Sequence, residues 1–188
     1  HACSPFTSVR SLRERAVAIK KAAMERAEHL WQALLAQDHK LVAEMVGEME
    51  AHELAICARW RRRDPLTKEH LTCDESTPPF GETLIHATSY VGNTTLLKKL
   101  IDAGAHVSRR GHANCTALHA AAAGGREQCV QMLLSAECKV SVTSTLKRTA
   151  LHMACQKGFN DVAKMLVAGS ADPYSSRSGG DSVIVMLR

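Results

Sequence analysis

Apolar residues in the second half of the chain fall in short stripes that recur. Leu96-Leu97 with Leu100-Ile101, Cys129-Val130 with Leu133-Leu134, and Val162-Ala163 with Leu166-Val167 each place apolar side chains at i, i+1, i+4 and i+5. That spacing is one face of an α-helix. Ahead of each stripe runs a shorter segment such as ALHAAAA at 117–123, whose alanines let helices approach closely. These segments open on Thr83-Leu84-Ile85-His86, Thr116-Ala117-Leu118-His119 and Thr149-Ala150-Leu151-His152, in steps of 33 residues, and nine residues after each Thr stands Gly92, Gly125 or Gly158. The threonine hydroxyl can take an orphan backbone N–H at a helix start. The glycine supplies the left-handed turn that reverses the chain. One such helix pair cannot bury its own apolar face, so the units must stack. The fold expected is all-α, a solenoid of helix-turn-helix units joined by hairpin loops.

The residues GETLIHATSYVG, CTALHAAAAGG and RTALHMACQKG resemble the ankyrin repeat, whose pattern is G-x-T-P-L-H-x-A-A-x-x-G. The tails LIDAGAHV (100–107) and LVAGSADP (166–173) are similar to its closing L-L-x-x-G-A-D-V. Departures are local. The usual proline is Leu84, Ala117 or Ala150, all acceptable in a first helical turn. The second glycine survives only as Gly104, and Glu137 and Ser170 in its place imply a left-handed backbone penalty of about 1 kcal/mol each. The resemblance divides residues 80–188 into repeats at 80–112, 113–145 and 146–178, with a partial fourth at 179–188. Ser182-Val183-Ile184-Val185 fills the next T-P-L-H slot imperfectly, and continuation into further repeats is the favoured reading of that end.

The first eighty residues follow no such period. Ser11-Leu12-Arg13-Glu14 has the capping-box form, and Leu12, Ala16, Ile19, Ala23, Leu30 and Leu34 trace one apolar face of a long helix. This sets an N-terminal helical segment at 1–51. Residues 30–50 within it resemble a degenerate ankyrin unit, with Gln37-Asp38 as its turn and Leu41, Val42, Met45 and Val46 as its second stripe. A plain helical hairpin packed on the array is the alternative. Residues 52–79 read as an insertion or linker carrying Arg59-Trp60-Arg61-Arg62-Arg63 and ending in Pro78-Pro79. That cluster suits either a solvated helix end or contact with nucleic acid or a phospholipid head group.

Composition narrows the class further. Residues 1–80 hold 12 Lys+Arg against 12 Asp+Glu, and residues 81–188 hold 12 against 7, so the whole net +5 belongs to the repeats. A surplus of that sign favours acidic partners. Seven cysteines at irregular spacing, with no CxxC pair, fit reduced thiols better than a disulfide scaffold. No stretch approaches the roughly 18 uninterrupted apolar residues of a membrane helix. The start HACSPFTSVR has neither an initiator Met nor the apolar run of a secretory signal. It reads as a fragment or a processed form, intracellular and most simply cytoplasmic.

Ten histidines raise the question of catalysis or metal. His86, His119 and His152 are periodic, and packed helices lie 8–10 Å apart whereas zinc needs ligand nitrogens at about 2.1 Å. Their expected role is to link a helix start to the neighbouring hairpin. His70 and Cys73 have no second ligand pair at zinc-finger spacing. No Walker loop, G-x-S-x-G or H-E-x-x-H stretch occurs. No catalytic residue, cofactor or metal is expected, and the chain reads as a non-catalytic scaffold for protein–protein interaction.

The resemblance places partner contacts on the hairpin tips and the exposed side of the first helices. Here those slots fall on Glu82, Tyr90, Val91, Arg110, His112, Cys115, Thr145, Leu146, Arg148, Gln156 and Lys157, with Arg109 and Lys147 beside them. Arg109, Arg110, Lys147 and Arg148, with Arg177, are expected to align as a basic ridge. The expected partner is another protein with an acidic segment. Nucleic acid is disfavoured, and the fragment is expected to be monomeric. Two alternatives remain open: a docking or regulatory module of a larger enzyme or channel, and a basic adaptor for nucleic acid or a membrane surface.

Overall fold

The computed structural model describes residues 9–59, 83–169 and 171. Among these residues there are nine α-helices, one 3-10 turn at His112–Asn114 and no strand: α1 (Val9–Leu35), α2 (His39–Glu48), α3 (Ala51–Arg59), α4 (Leu84–Val91), α5 (Thr94–Asp102), α6 (Ala117–Ala123), α7 (Glu127–Ser135), α8 (Ala150–Gln156) and α9 (Asn160–Ala168). The three short first helices α4, α6 and α8 pack in one row, and the second helices α5, α7 and α9 in another. The expected all-α stack is therefore present.

Each repeat is set by its ends. Gly92, Gly125 and Gly158 all have positive φ (91°, 65° and 75°), and the N–H groups around them return to the preceding helix, as in Gly92 N–H to Thr88 O at 2.9 Å and Arg126 N–H to Ala121 O at 3.0 Å. Two of these glycines are also space-limited. A Cβ on Gly92 would meet Arg126 Cδ at 2.7 Å, and one on Gly125 would meet the Phe159 ring at 2.7 Å. The following unit thus sits directly on the turn before it. Between the rows lies a core of Leu84, Leu97, Leu118, Leu133, Leu151 and Leu166, all essentially without exposure.

The N-terminal helices continue the stack with different residues. The end of α1 packs on α4 and α2 on α5, while α3 lies against α1 and α5. The α1–α2 corner copies the repeat turn, with Gln37 at φ 55° and Asp38 N–H bonded to Ala33 O at 3.0 Å. Val42 and Val46 are buried as the stripe requires, whereas Leu41 is 42% exposed. Ala23, Leu30 and Leu34 are buried, but Ala16 and Ile19 are exposed. Among the described side chains, the apolar face traced from the sequence is thus covered from Ala23 onward, where the described helices pack on α1. The segment expected to open as a linker begins instead as α3, with Leu54, Cys57 and Ala58 buried. Residues 60–82, which include the rest of the arginine cluster and both His70 and Cys73, lie outside the described residues.

Candidate partner-binding surface

The hairpins are held in place by the buried Thr–His pairs beneath them. Thr83 Oγ1 lies 2.6 Å from His86 Nδ1, and His86 Nε2–H donates to Cys115 O at 3.1 Å. One unit on, Thr116 N–H donates to His119 Nδ1 at 3.2 Å, and His119 Nε2–H donates to Arg148 O at 3.1 Å. Because Thr116 N–H occupies Nδ1 and Nε2 donates, the His119 ring is a neutral tautomer. Burial, partly opposed by the carbonyl hydrogen bonds, pushes the pKa values of His86 and His119 down to about 4. Thr149 N–H donates to His152 Nδ1 at 3.2 Å, in the same pattern. His86 and His119 therefore each tie a helix start to the loop of the next unit, as the periodicity implied.

Consecutive hairpins are also bonded to each other. Thr145 N–H donates to Ala113 O at 2.9 Å, and Lys139 N–H to Ser108 Oγ at 2.9 Å. Within each hairpin the same closure recurs 33 residues apart: Gly111 N–H to Cys115 O at 2.7 Å, and Ser144 N–H to Arg148 O at 2.9 Å. The loops form one connected edge in place of independent tips.

On that edge Arg110 and Lys147 are exposed, and Arg109 and Arg148 are half-buried. Arg110 and Arg148 come from different hairpins, yet both lie close enough to His119 to disfavour its protonation, as Arg109 does for His86. They are not at equivalent repeat positions; Thr143 and Cys115 hold those. The two arginines thus lie near one ring without occupying equivalent positions of the repeat. Arg148 Nη1 also donates to Gln156 Oε1 at 2.9 Å, joining the edge to the first-helix face, where Lys157 is exposed and Tyr90 half-buried.

Two expected surface residues are corrected. Cys115 is 1% exposed and Val91 7% exposed. Cys115 lies under the loop, where its carbonyl anchors His86, and Val91 falls one turn beyond the buried Ala87 on the packed side of α4. Glu82 and Arg177 lie outside the described residues, as does the side chain of His112. Thr145 and Leu146 are exposed at the second tip.

Sequence reasoning missed Arg126. Its Nε–H donates to Tyr90 O at 3.0 Å, a terminal carbonyl of α4, so this exposed cation caps the preceding unit's helix. The signal was present in the residue after each turn glycine, which is Asn93, Arg126 or Phe159. Lys147 was also unforeseen as a strained position: its φ is 55°, and Asn114, its equivalent one unit earlier, has φ 58°. Both occupy the slot that Gly81 fills in the first repeat.

Little here supports chemistry. Cys57, Cys129 and Cys138 are buried, and desolvation raises each thiol to about 11, so they stay protonated and unreactive. Among the described residues no group of three His, Cys, Asp or Glu side chains could hold a metal ion, and no helix is long and apolar enough to cross a membrane. On the second-helix side, an open groove of about 630 Å³ separates α5 from α7, lined by Lys98, Ile101, Gln131 and Met132 among others. A family model described as ankyrin repeats, in three copies, matches residues 30–144 and 84–177. No curated protein matches the chain significantly.

Proposed function

The chain belongs to the ankyrin-repeat family, whose repeats bind other proteins and are as a rule non-catalytic, and on that premise we propose that it is an adaptor. It captures a partner through its hairpin edge and the adjoining ends of its first helices. The partner contributes an acidic segment, which meets Arg109, Arg110, Lys147 and Arg148, while Tyr90, Gln156 and Lys157 contact flanking residues. The observation that carries this reading is the hydrogen-bonded edge on which these basic residues stand, with Thr145 N–H donating to Ala113 O and His119 Nε2–H to the Arg148 carbonyl. The loops' mutual hydrogen bonds hold the backbone that carries those cations before any partner arrives, so little backbone entropy is lost on binding.

Exposed rim charges act chiefly through the association rate. Reversing Arg110 and Lys147 to Glu should slow association with a captured partner about tenfold or more and flatten its salt dependence. Because both side chains are exposed, thermal stability should hold. Surface-binding kinetics at several salt concentrations measure this directly. An unchanged rate, with binding lost in Tyr90→Ala, would move the site to the helical face.

A further inference from the structure

Helix α1 outruns the fold it belongs to. From Arg13 to Ala22 every side chain is exposed, and Ala23 is the first buried residue. At 3.6 residues per turn this arm divides into two arcs. One has Ala16 and Ile19 on one flank and Val17 and Met24 on the other, with Arg13 and Lys20 on the line between them. Val17 is 67% exposed, Ile19 47% and Met24 45%. The opposite arc carries Glu14, Arg15, Lys21 and Glu25, so no acid interrupts the apolar one.

The arrangement of charge selects the occupant. A protein groove closing over this arc would bury Arg13 and Lys20 amid apolar contacts, and burying such charges is costly. A lipid headgroup layer accepts both, since their aliphatic stems lie along the apolar boundary while the cationic heads reach phosphates. Residues 13–25 carry four cations (Arg13, Arg15, Lys20, Lys21) and two acids (Glu14, Glu25), both acids on the opposite arc. A further cation is brought toward them. Cys57 Sγ–H donates to Ala23 O at 3.5 Å, and Arg26 pairs with Glu53 at 2.7 Å, so α3 runs antiparallel to α1. Its exposed last residue, Arg59, therefore lies toward the arm, and in sequence Trp60-Arg61-Arg62-Arg63 follows, outside the described residues.

We propose that the arm, residues 13–24, docks this protein on a bilayer bearing acidic phospholipids. The helix lies in the plane of the interface, with Val17, Ile19 and Met24 entering the headgroup layer, Arg13 and Lys20 on lipid phosphates, and Arg15 and Lys21 on the opposite arc but still within the field of the anionic surface. This site shares no residue with the hairpin edge, so either can fail without the other.

Vesicle co-sedimentation of the full chain tests it, with phosphatidylcholine alone and with added phosphatidylserine. Binding is expected only to the phosphatidylserine vesicles and should weaken steeply with salt. Lys20→Glu/Lys21→Glu should lower the partition coefficient about thirtyfold or more, since each basic residue near an anionic surface contributes about fivefold. Val17→Asn/Ile19→Asn, at exposed sites, should weaken binding several-fold with the helical signal unchanged. Arg110→Glu/Lys147→Glu should bind vesicles much more nearly as the parent does. Equal binding to both vesicle types overturns the proposal, as does undiminished binding by both α1 variants. Binding of duplex DNA or RNA through Lys20 and Lys21, with no vesicle binding, would make the arm a polynucleotide site and overturn it too.

Discussion

At the corner between α4 and α5 the chain reverses on Gly92, with φ 91°; between α1 and α2 it reverses on Gln37, with φ 55°. The hydrogen bonds around the two corners are alike, and both helix pairs join one stack. What differs is how the units are tied together. Repeats 83–169 carry a buried Thr–His pair at each first-helix start, hydrogen-bonded into the next loop where that loop is described. Helices α1–α3 have no such pair: His29, His39 and His52 are exposed. Their cohesion comes from Trp31, Leu34, Val46 and Cys57 in the core and from Arg26–Glu53 at its edge. A helix pair can thus join the stack without a buried Thr–His pair, whereas the described hairpins of the regular repeats are tied by one. The region with anchors is where the basic loops stand.

The comparison breaks most sharply in acid. His86 and His119 have folded pKa values near 4, against 6.5 for the ordinary ring. The unfolded chain binds protons more readily, so stability is full above pH 6.5 and is lost as pH falls toward 4, levelling off below. The loss is roughly 3 kcal/mol for each histidine at the acid limit. Urea midpoints between pH 7 and 4.5 should fall steeply, and the repeats should melt ahead of α1–α2. A flat profile would mean that these rings accept protons in place.

Truncation comes next in size. Leu118 is 1% exposed, in the central unit with packed neighbours on both sides. Leu118→Ala should cost 2–5 kcal/mol, in the range of core leucine truncations. Leu146→Ala at the hairpin tip and Ile19→Ala on the arm should each fall within about 0.5 kcal/mol. Denaturant melts giving Ile19→Ala a core-sized loss would show that the arm is covered in solution.

Much of this was legible in the sequence, for reasons that differ by region. The Thr, His and Gly spacings report local geometry, since a helix start, an anchor and a left-handed turn each need a particular residue. Hence the helix starts and turns of the regular repeats and the linking role of His86 and His119 could be read in advance. Coverage could not be read that way. Ala16 and Ile19 continue the same periodic face as Ala23, yet they are exposed and Ala23 is buried. Cys115 likewise sits at a position that the repeat pattern assigns to the surface, but the loop folds over it. That Arg110 and Arg148 both lie near His119 was hidden because their separation is not a multiple of 33.

The smallest effects sharpen the comparison, because they test one backbone conformation in both regions. Gln37 and Glu137 are exposed and left-handed, at φ 55° and 54°. Replacing either by glycine removes a penalty of about 1–2 kcal/mol and adds back about 0.5–1 of chain entropy. Each should therefore gain a few tenths to about 1 kcal/mol, or roughly 1–4 °C in Tm. Lys147, at φ 55°, should gain as much from Lys147→Gly, yet it stands on the basic edge. If that cation steers an acidic partner, Lys147→Gly will be more stable and slower to associate, opposite changes in one variant. Glu137→Gly, on the same side of the molecule but without a basic charge to lose, should gain stability and leave association no slower. Strain held at Lys147 is then explained by what the side chain does at the surface, since the fold itself would be better served by glycine. Calorimetry with binding kinetics on the three variants decides it. A Lys147→Gly protein that associates as fast as the parent would leave the strained lysine without a role in recognition.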